Sequence, residues 1–236
     1  MHTSIGRVAI QYIGAMALMA VGWLARAPAA APEPTPKRAG GAALYSDDFE
    51  KYPEGKAPEE MLVLNGEVRI HKDGGNKVLR LPEAPVDSHG VLIGPEHAAI
   101  SAVSARVKAE ATGRRTPEFG IGLGGTGGYQ LWVMPATSEL QIIKGEDVVA
   151  AVPFRWASGK WTHLKLRVRH AGTDRWTFEG KAWHEGAQEP RQWLITWTDS
   201  EKPPAGRCML AGAPYSDKPI LFDDVVIEGE AGGAPQ

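Results

Sequence analysis

Two aspartate pairs bracket the patterned part of the sequence, in "YSDDFE" (45–50) and in "LFDDVVIEGE" (221–230). The second interrupts what otherwise reads as a buried strand, with Leu221, Phe222, Val225, Val226 and Ile227 around it. Period-two alternation puts Phe222, Asp224 and Val226 on one side, and Asp223, Val225 and Ile227 on the other. One aspartate must then point against the packing or sit at an edge. A buried carboxylate is costly unless it is ion-paired, hydrogen-bonded or bound to a cation. An oxygen-rich cluster of this kind suits Ca²⁺, which also accepts backbone carbonyls. The alternative is that the acids hydrogen-bond strand ends or face water.

Carboxylates also cleave glycosides, where a retaining mechanism needs two of them about 5 Å apart. A strand reading E-x-D-x-(x)-E would set them on one face, and no such string occurs. Glu179 stands alone in "RWTFEGKAW" and Glu118 alone in "PEFGIG", although acids from different strands can still meet across a cleft. "GIGLGG" (120–125) matches G-x-G-x-x-G but runs into "TGGYQLW", a second strand pattern. A dinucleotide site needs a helix there to receive the pyrophosphate, so this reading fails. His71, His89, His97, His163, His170 and His184 show no metal-binding spacing, and no G-x-S-x-G elbow is present.

The aromatic residues are uneven, with six tryptophans between Trp156 and Trp197. In "GYQLWVMP" (128–135), Gln130 and Trp132 alternate with Tyr129, Leu131 and Val133. In "THLKLRVR" the inward set is Leu164, Leu166 and Val168, leaving His163, Lys165, Arg167 and Arg169 outward. In "WTFEGKAW", Trp176, Phe178 and Ala182 share one face, and Glu179, Lys181 and Trp183 the other. Phe119, Ile121 and Leu123 alternate with Gly120 and Gly122, which leaves a bare patch on the outer face. Rings stack on the C–H faces of pyranoses while charged and amide groups bind hydroxyls. If the strands share a sheet, Gln130, Trp132, Lys165, Arg167, Glu179, Lys181 and Trp183 form one ligand face over a glycine floor. Taken singly, each tryptophan also suits core packing, and each outward charge a solvated surface.

The elements that would position these residues are strands. About a dozen short alternating runs lie between residues 66 and 229, and turn chemistry such as "KDGGNK", "PATSE", "KGED" and "HAGTD" separates them. No window carries an uninterrupted helical period. The expected fold is therefore all-β, an antiparallel β-sandwich or jelly roll. Ahead of it, Arg7, an apolar run from Ile13 to Leu24 and Ala27-Pro28-Ala29 describe a signal peptide over residues 1–29. The run is short for a membrane span, so no stable membrane insertion is expected after cleavage, and the protein is expected to be exported, periplasmic or extracellular. A Pro/Ala/Gly leader (30–42), one domain (43–229) and a tail (230–236) follow. The 207 residues left carry 24 basic against 28 acidic side chains, a net charge of −4, which argues against nucleic acid as partner. Cys208 is the one cysteine and reads as a small buried apolar residue.

"DDFEKYPEG", "GKWTHLKLRVR" and "ILFDDVVIEG", in that order and spanning Leu44 to Glu228, resemble the concanavalin A-like lectin/glucanase superfamily. The likeness is greatest to laminin-G-like and bacterial 3-keto-disaccharide-hydrolase-like jelly rolls, often called glycoside hydrolase-like. The resemblance implies that the first and last strands lie side by side. It also implies a structural calcium between the chain ends, held by Asp48, Glu50 and Asp224. The functional expectation is non-catalytic binding of a carbohydrate or glycan. A glycoside hydrolase with an unrecognised carboxylate pair is the first alternative, and a structural or interaction module of an envelope assembly the second.

Overall fold

The computed structural model describes residues 42–84, 87–97 and 100–230. The expected signal peptide, nearly all of the leader, and the tail beyond residue 230 lie outside the described residues. Fifteen strands run through the described chain: β1 (Ala43–Asp47), β2 (Leu62–Asn65), β3 (Arg69–Asp73), β4 (Asn76–Leu81), β5 (His89–His97), β6 (Ile100–Lys108), β7 (Glu118–Leu123) and β8 (Tyr129–Met134). They continue with β9 (Glu139–Lys144), β10 (Asp147–Pro153), β11 (Trp161–His170), β12 (Trp176–His184), β13 (Ile195–Asp199), β14 (Gly206–Ala213) and β15 (Ile220–Gly229). The one helical element among the described residues is a 3₁₀ turn, Gly125–Gly127, so "GIGLGG" joins two strands as expected.

The strands form two antiparallel sheets. The first has the order β13-β12-β11-β6-β15-β4-β3, with β1 also paired to β15. The second has the order β10-β9-β8-β7-β14-β5-β2. The expectation that the first and last strands are neighbours holds, because Tyr45 opposes Ile227 and Asp47 opposes Val225. Between the sheets lie Phe49, Phe119, Phe178, Phe222, Leu131, Leu164 and Leu166, all fully buried. Phe119, Ile121 and Leu123 face inward, as do Tyr129, Leu131 and Val133. Cys208 is buried, and desolvation pushes its thiol up to about 12.

Alternation fails at the second aspartate pair. β15 carries a bulge between Asp223 and Val226, with Asp224 in the left-handed region at φ 48°. The extra residue lets Phe222 and Val225 both enter the core, where strict alternation sets them on opposite sides. The bulge sits where β15 exchanges one neighbour for another. Ile220–Phe222 pair with β4, and Val225–Glu228 pair with β1.

His89 begins β5 almost fully buried, and among the described residues neither ring nitrogen makes a hydrogen bond of good geometry. Gly66 makes room for it, since a Cβ at Gly66 would lie 2.1 Å from the His89 Nδ1. Desolvation holds the imidazole below its usual pKa, against the opposing pull of Asp87. Burial acts in the same direction on His163, with the Arg106 charge adding to it. Between the unfolded value, about 6.5, and the lower folded values, the unfolded chain binds more protons. Stability present at neutral pH is therefore lost as pH falls through that window. Melting curves between pH 7.5 and 5 should show a falling Tm, and His89→Leu should flatten the dependence. A Tm independent of pH over that range would contradict the burial of both rings.

Candidate functional site

The outward residues of β7, β8 and β9 make one surface on the second sheet. Across it, Gly120 opposes Trp132, which opposes Gln141, and Gly122 opposes Gln130, which opposes Ile143. A Cβ built on Gly120 would lie 2.9 Å from the Trp132 ring, so the indole leans over a position where only glycine leaves space. Its Nε1 donates to Gln130 Oε1 at 2.7 Å, which fixes the ring on the sheet while the residue stays half-exposed. Beside it, Gln141 Nε2 donates to Glu139 Oε2 at 2.8 Å, and Thr137 Oγ1 donates to the same oxygen at 2.9 Å. A held ring flanked by amides and a carboxylate matches what a pyranose needs, a flat apolar contact with polar groups around it. Gln130, Trp132, Gly120 and Gly122 thus come together as the sequence reading required.

The rest of the expected ligand face does not join them. Lys165 and Arg167 on β11, with Glu179, Lys181 and Trp183 on β12, belong to the first sheet and point away from the other side of the sandwich. Nor are they free. Glu179 Oε2 accepts from Arg167 Nη2 at 2.6 Å and from Arg169 Nε at 3.3 Å. Lys165 pairs with Glu228 at 2.8 Å, and Lys181 donates to the Pro190 carbonyl at 2.6 Å. Trp193 covers them, with Arg167 4.3 Å and Lys181 4.4 Å from its ring centre. Trp183 stacks on His163 with ring planes 7° apart. Alternation tells which side of its own strand a residue takes and is silent on which sheet the strand joins. Seven residues on one face is corrected to two faces on opposite sides.

The acids named for calcium are dispersed as well. Asp48 Oδ1 accepts the Glu50 amide at 3.2 Å, and Glu50 Oε1 accepts the Lys77 amide at 2.7 Å. Asp224 lies 2.8 Å from Arg106 Nε. Among the described residues no group of three or more His, Cys, Asp or Glu side chains is placed to hold a metal ion, so these three acids are not gathered into one cluster. The aspartates that are buried are their neighbours. Asp47 accepts from the Tyr45 hydroxyl at 2.6 Å, the Tyr52 hydroxyl at 2.7 Å and the Phe49 amide at 3.0 Å. Asp223 accepts from Arg106 Nη2 at 2.7 Å and Asn76 Nδ2 at 2.5 Å. Protein donors therefore compensate the charges at both chain ends.

Two features escaped the sequence reading. Glu139 and Gln141 lie in "SELQIIKG", where a carboxylate and an amide two residues apart signal little without knowledge of the neighbouring strand. At one end of the second sheet, a cleft of about 750 Å³ is lined by Glu59, Glu60, Leu92, Glu96, Gly125 and Arg207, among others. Arg207 Nη1 donates to the Glu60 carbonyl at 2.8 Å. Four separated stretches build this cleft, so no local motif announces it.

No family model and no curated protein matches the sequence. Among solved structures, the chain is similar to the metal-free Emp46p carbohydrate recognition domain, with a TM-score of 0.53, 8% identity, and 80% of this chain and 96% of that chain covered. The apo Crh5 transglycosylase matches with a TM-score of 0.52 at 16% identity, over 80% of this chain and 86% of that one. Carbohydrate-binding module CBM66 from Bacillus subtilis matches with a TM-score of 0.50 at 16% identity, over 72% and 96%. With the two sheets described above, these likenesses establish the fold: the chain is an antiparallel β-sandwich of the concanavalin A-like, jelly-roll type.

Proposed function

We propose that this protein binds carbohydrate on the outward face of β7, β8 and β9, with Trp132 as the stacking ring and Gln130 and Gln141 at its flanks. The observation that carries the reading is the Trp132 indole lying over Gly120 with its Nε1 held by Gln130. A ring already fixed loses little freedom on binding, which favours affinity. The similar folds add support, since they include a carbohydrate recognition domain and a carbohydrate-binding module. Export belongs to the same proposal and places the carbohydrate in the periplasm or outside the cell. N-terminal sequencing of exported material should begin at or near Ala30, and an intact Met1 would exclude cleavage.

A glycan array followed by titration of the hits tests the site. Trp132→Ala should weaken binding by at least about tenfold, as expected for an aromatic anchor. Trp183→Ala should bind as the parent does, because its ring is stacked on His163 on the far sheet. Equal affinity in all three proteins would remove this placement of the site.

A further inference from the structure

We propose that the carbohydrate held beside Trp132 is a cationic amino sugar, its ammonium recognised by Glu139, with Glu118 adding charge of the same sign. The proposal rests on the carbohydrate reading of this face and names the chemical class of the sugar. It starts from an exception in how the protein treats its carboxylates. Among the described residues, nine acidic residues are partly or fully buried. Asp47, Asp73, Glu179, Glu189, Asp199, Asp223 and Glu228 each have a lysine or arginine nitrogen within 3.2 Å. The remaining two, Glu118 and Glu139, make no ion pair among the described residues. A carboxylate taken from water is costly unless it is compensated. The fold supplies the cation seven times and leaves it out twice, both times on the face of Trp132.

Glu139 opens β9 on the side of Gln141, whose Nε2 it holds at 2.8 Å. Gln141 is the cross-strand neighbour of Trp132, so one side chain separates this carboxylate from the ring. Its Oε2 is taken by Gln141 and Thr137, while Oε1 makes no hydrogen bond among the described residues. Glu118 opens β7 on the side of Gly120, since Phe119 between them is in the core. Burial pushes the Glu118 carboxyl above its ordinary value, and no donor or cation opposes the shift. The other outward residues of β7, β8 and β9 are glycine, glutamine, tryptophan, methionine and isoleucine. The face therefore carries two carboxyl groups and no positive charge.

An amino sugar satisfies this face in a way that a neutral sugar does not. Its pyranose C–H face stacks on the indole, and its ammonium gives Glu139 Oε1 a charge-assisted hydrogen bond, stronger than one from a hydroxyl. N-acetylation keeps the ring and one N–H but removes the charge. A uronic acid or a sulfated sugar brings like charge towards both carboxylates and is rejected for that reason.

The test is a glycan array carrying free-amine, N-acetylated, neutral and acidic sugars, with the purified full chain as probe. Each hit is then titrated beside its free-amine or N-acetylated counterpart at about pH 6, where amines of this kind are protonated. The expected result is that free-amine sugars bind at least about tenfold more tightly than their N-acetylated forms. Added salt should erode that ratio, since it screens the charge contact and not the stacking. Glu139→Gln should melt as the parent does and bring the ratio to within about threefold, and Glu118→Gln should lower it by a smaller factor. Sugars bound with no preference for the free amine, or acidic sugars bound best, would overturn the proposal. If Trp132→Ala still weakened their binding, the carbohydrate site itself would stand. A preference that survives intact in Glu139→Gln would overturn the proposal as well. Failure to bind any sugar on the array would remove the carbohydrate reading and the proposal with it.

Discussion

Replacing Arg106 with alanine should destabilise the protein by roughly 3–5 kcal/mol, the scale of a buried ion pair that has lost one partner. The Asp223 side chain is 1% exposed and lies 2.7 Å from Arg106 Nη2. Desolvation already raises the pKa of Asp223, with Asn76 and the Asp224 amide as its other donors. Without the guanidinium, the carboxyl must take up a proton or admit water at the centre of the first sheet. Arg106 also lies over the Trp161 ring at 4.6 Å, so the substitution removes packing as well as charge. Asp224→Asn is the matched control. It keeps a residue suited to positive φ and removes only the contact of a 55% exposed side chain, a change worth about 1 kcal/mol or less. Urea denaturation of both variants should separate them by a large shift in midpoint at constant slope. Equal midpoints would mean that Arg106 is not what makes the buried Asp223 tolerable.

Tyr129→Ala should cost a comparable amount, about 3–5 kcal/mol, and Tyr129→Phe about 1 kcal/mol. Tyr129 projects from β8 into the core, where its ring stacks on Phe178 of β12 with centres 3.5 Å apart. Its hydroxyl donates to Asp199 of β13 at 2.7 Å, and Lys144 lies 2.9 Å from the same oxygen. One side chain thus joins both sheets through apolar and polar contacts together. The Asp199 carboxylate is held well below the ordinary range by the Glu201 amide first, then by Lys144 and Tyr129. Its contribution is present above the unfolded value, about 3.9, and is lost as pH falls below it. Tyr129→Phe should therefore be most damaging near neutrality and less so in strong acid. Since Gln130 and Trp132 stand on the other side of the same strand, the phenylalanine variant should keep the parent's glycan affinity. A Tyr129→Ala variant as stable as Tyr129→Phe would show that the stack contributes little.

The sequence was legible wherever a side chain's fate depends on its own strand. Leu164, Leu166, Val168, Phe178 and Ala182 went inward, and Glu179, Lys181 and Trp183 outward, as alternation required. It was not legible wherever the fate depends on a partner. Trp132 and Trp183 look equivalent in sequence, yet one lies across a glycine of the second sheet and the other is stacked on His163 of the first. The strands β2 and β13 escaped notice because each is a short edge strand whose exposed residues blur the period. At Asp223 and Asp224 the bulge broke the count, and Arg106, more than a hundred residues away in sequence, settled which carboxylate could be buried.

The place of β15 has a consequence for how the molecule comes into being. It pairs with β6 along one edge and with β4 and then β1 along the other, so the middle of the first sheet is the last strand of the sequence. A chain emerging from the ribosome holds β1, β4 and β6 with an empty slot between them until Ile220–Gly229 arrives. Until then β6 has only β11 and β4 only β3 as sheet neighbours, and the two halves of the first sheet are not joined. Contacts of such wide sequence separation close slowly, on the millisecond-to-second scale of β-sandwiches. The first sheet therefore cannot be completed until Ile220–Gly229 has been added to the chain.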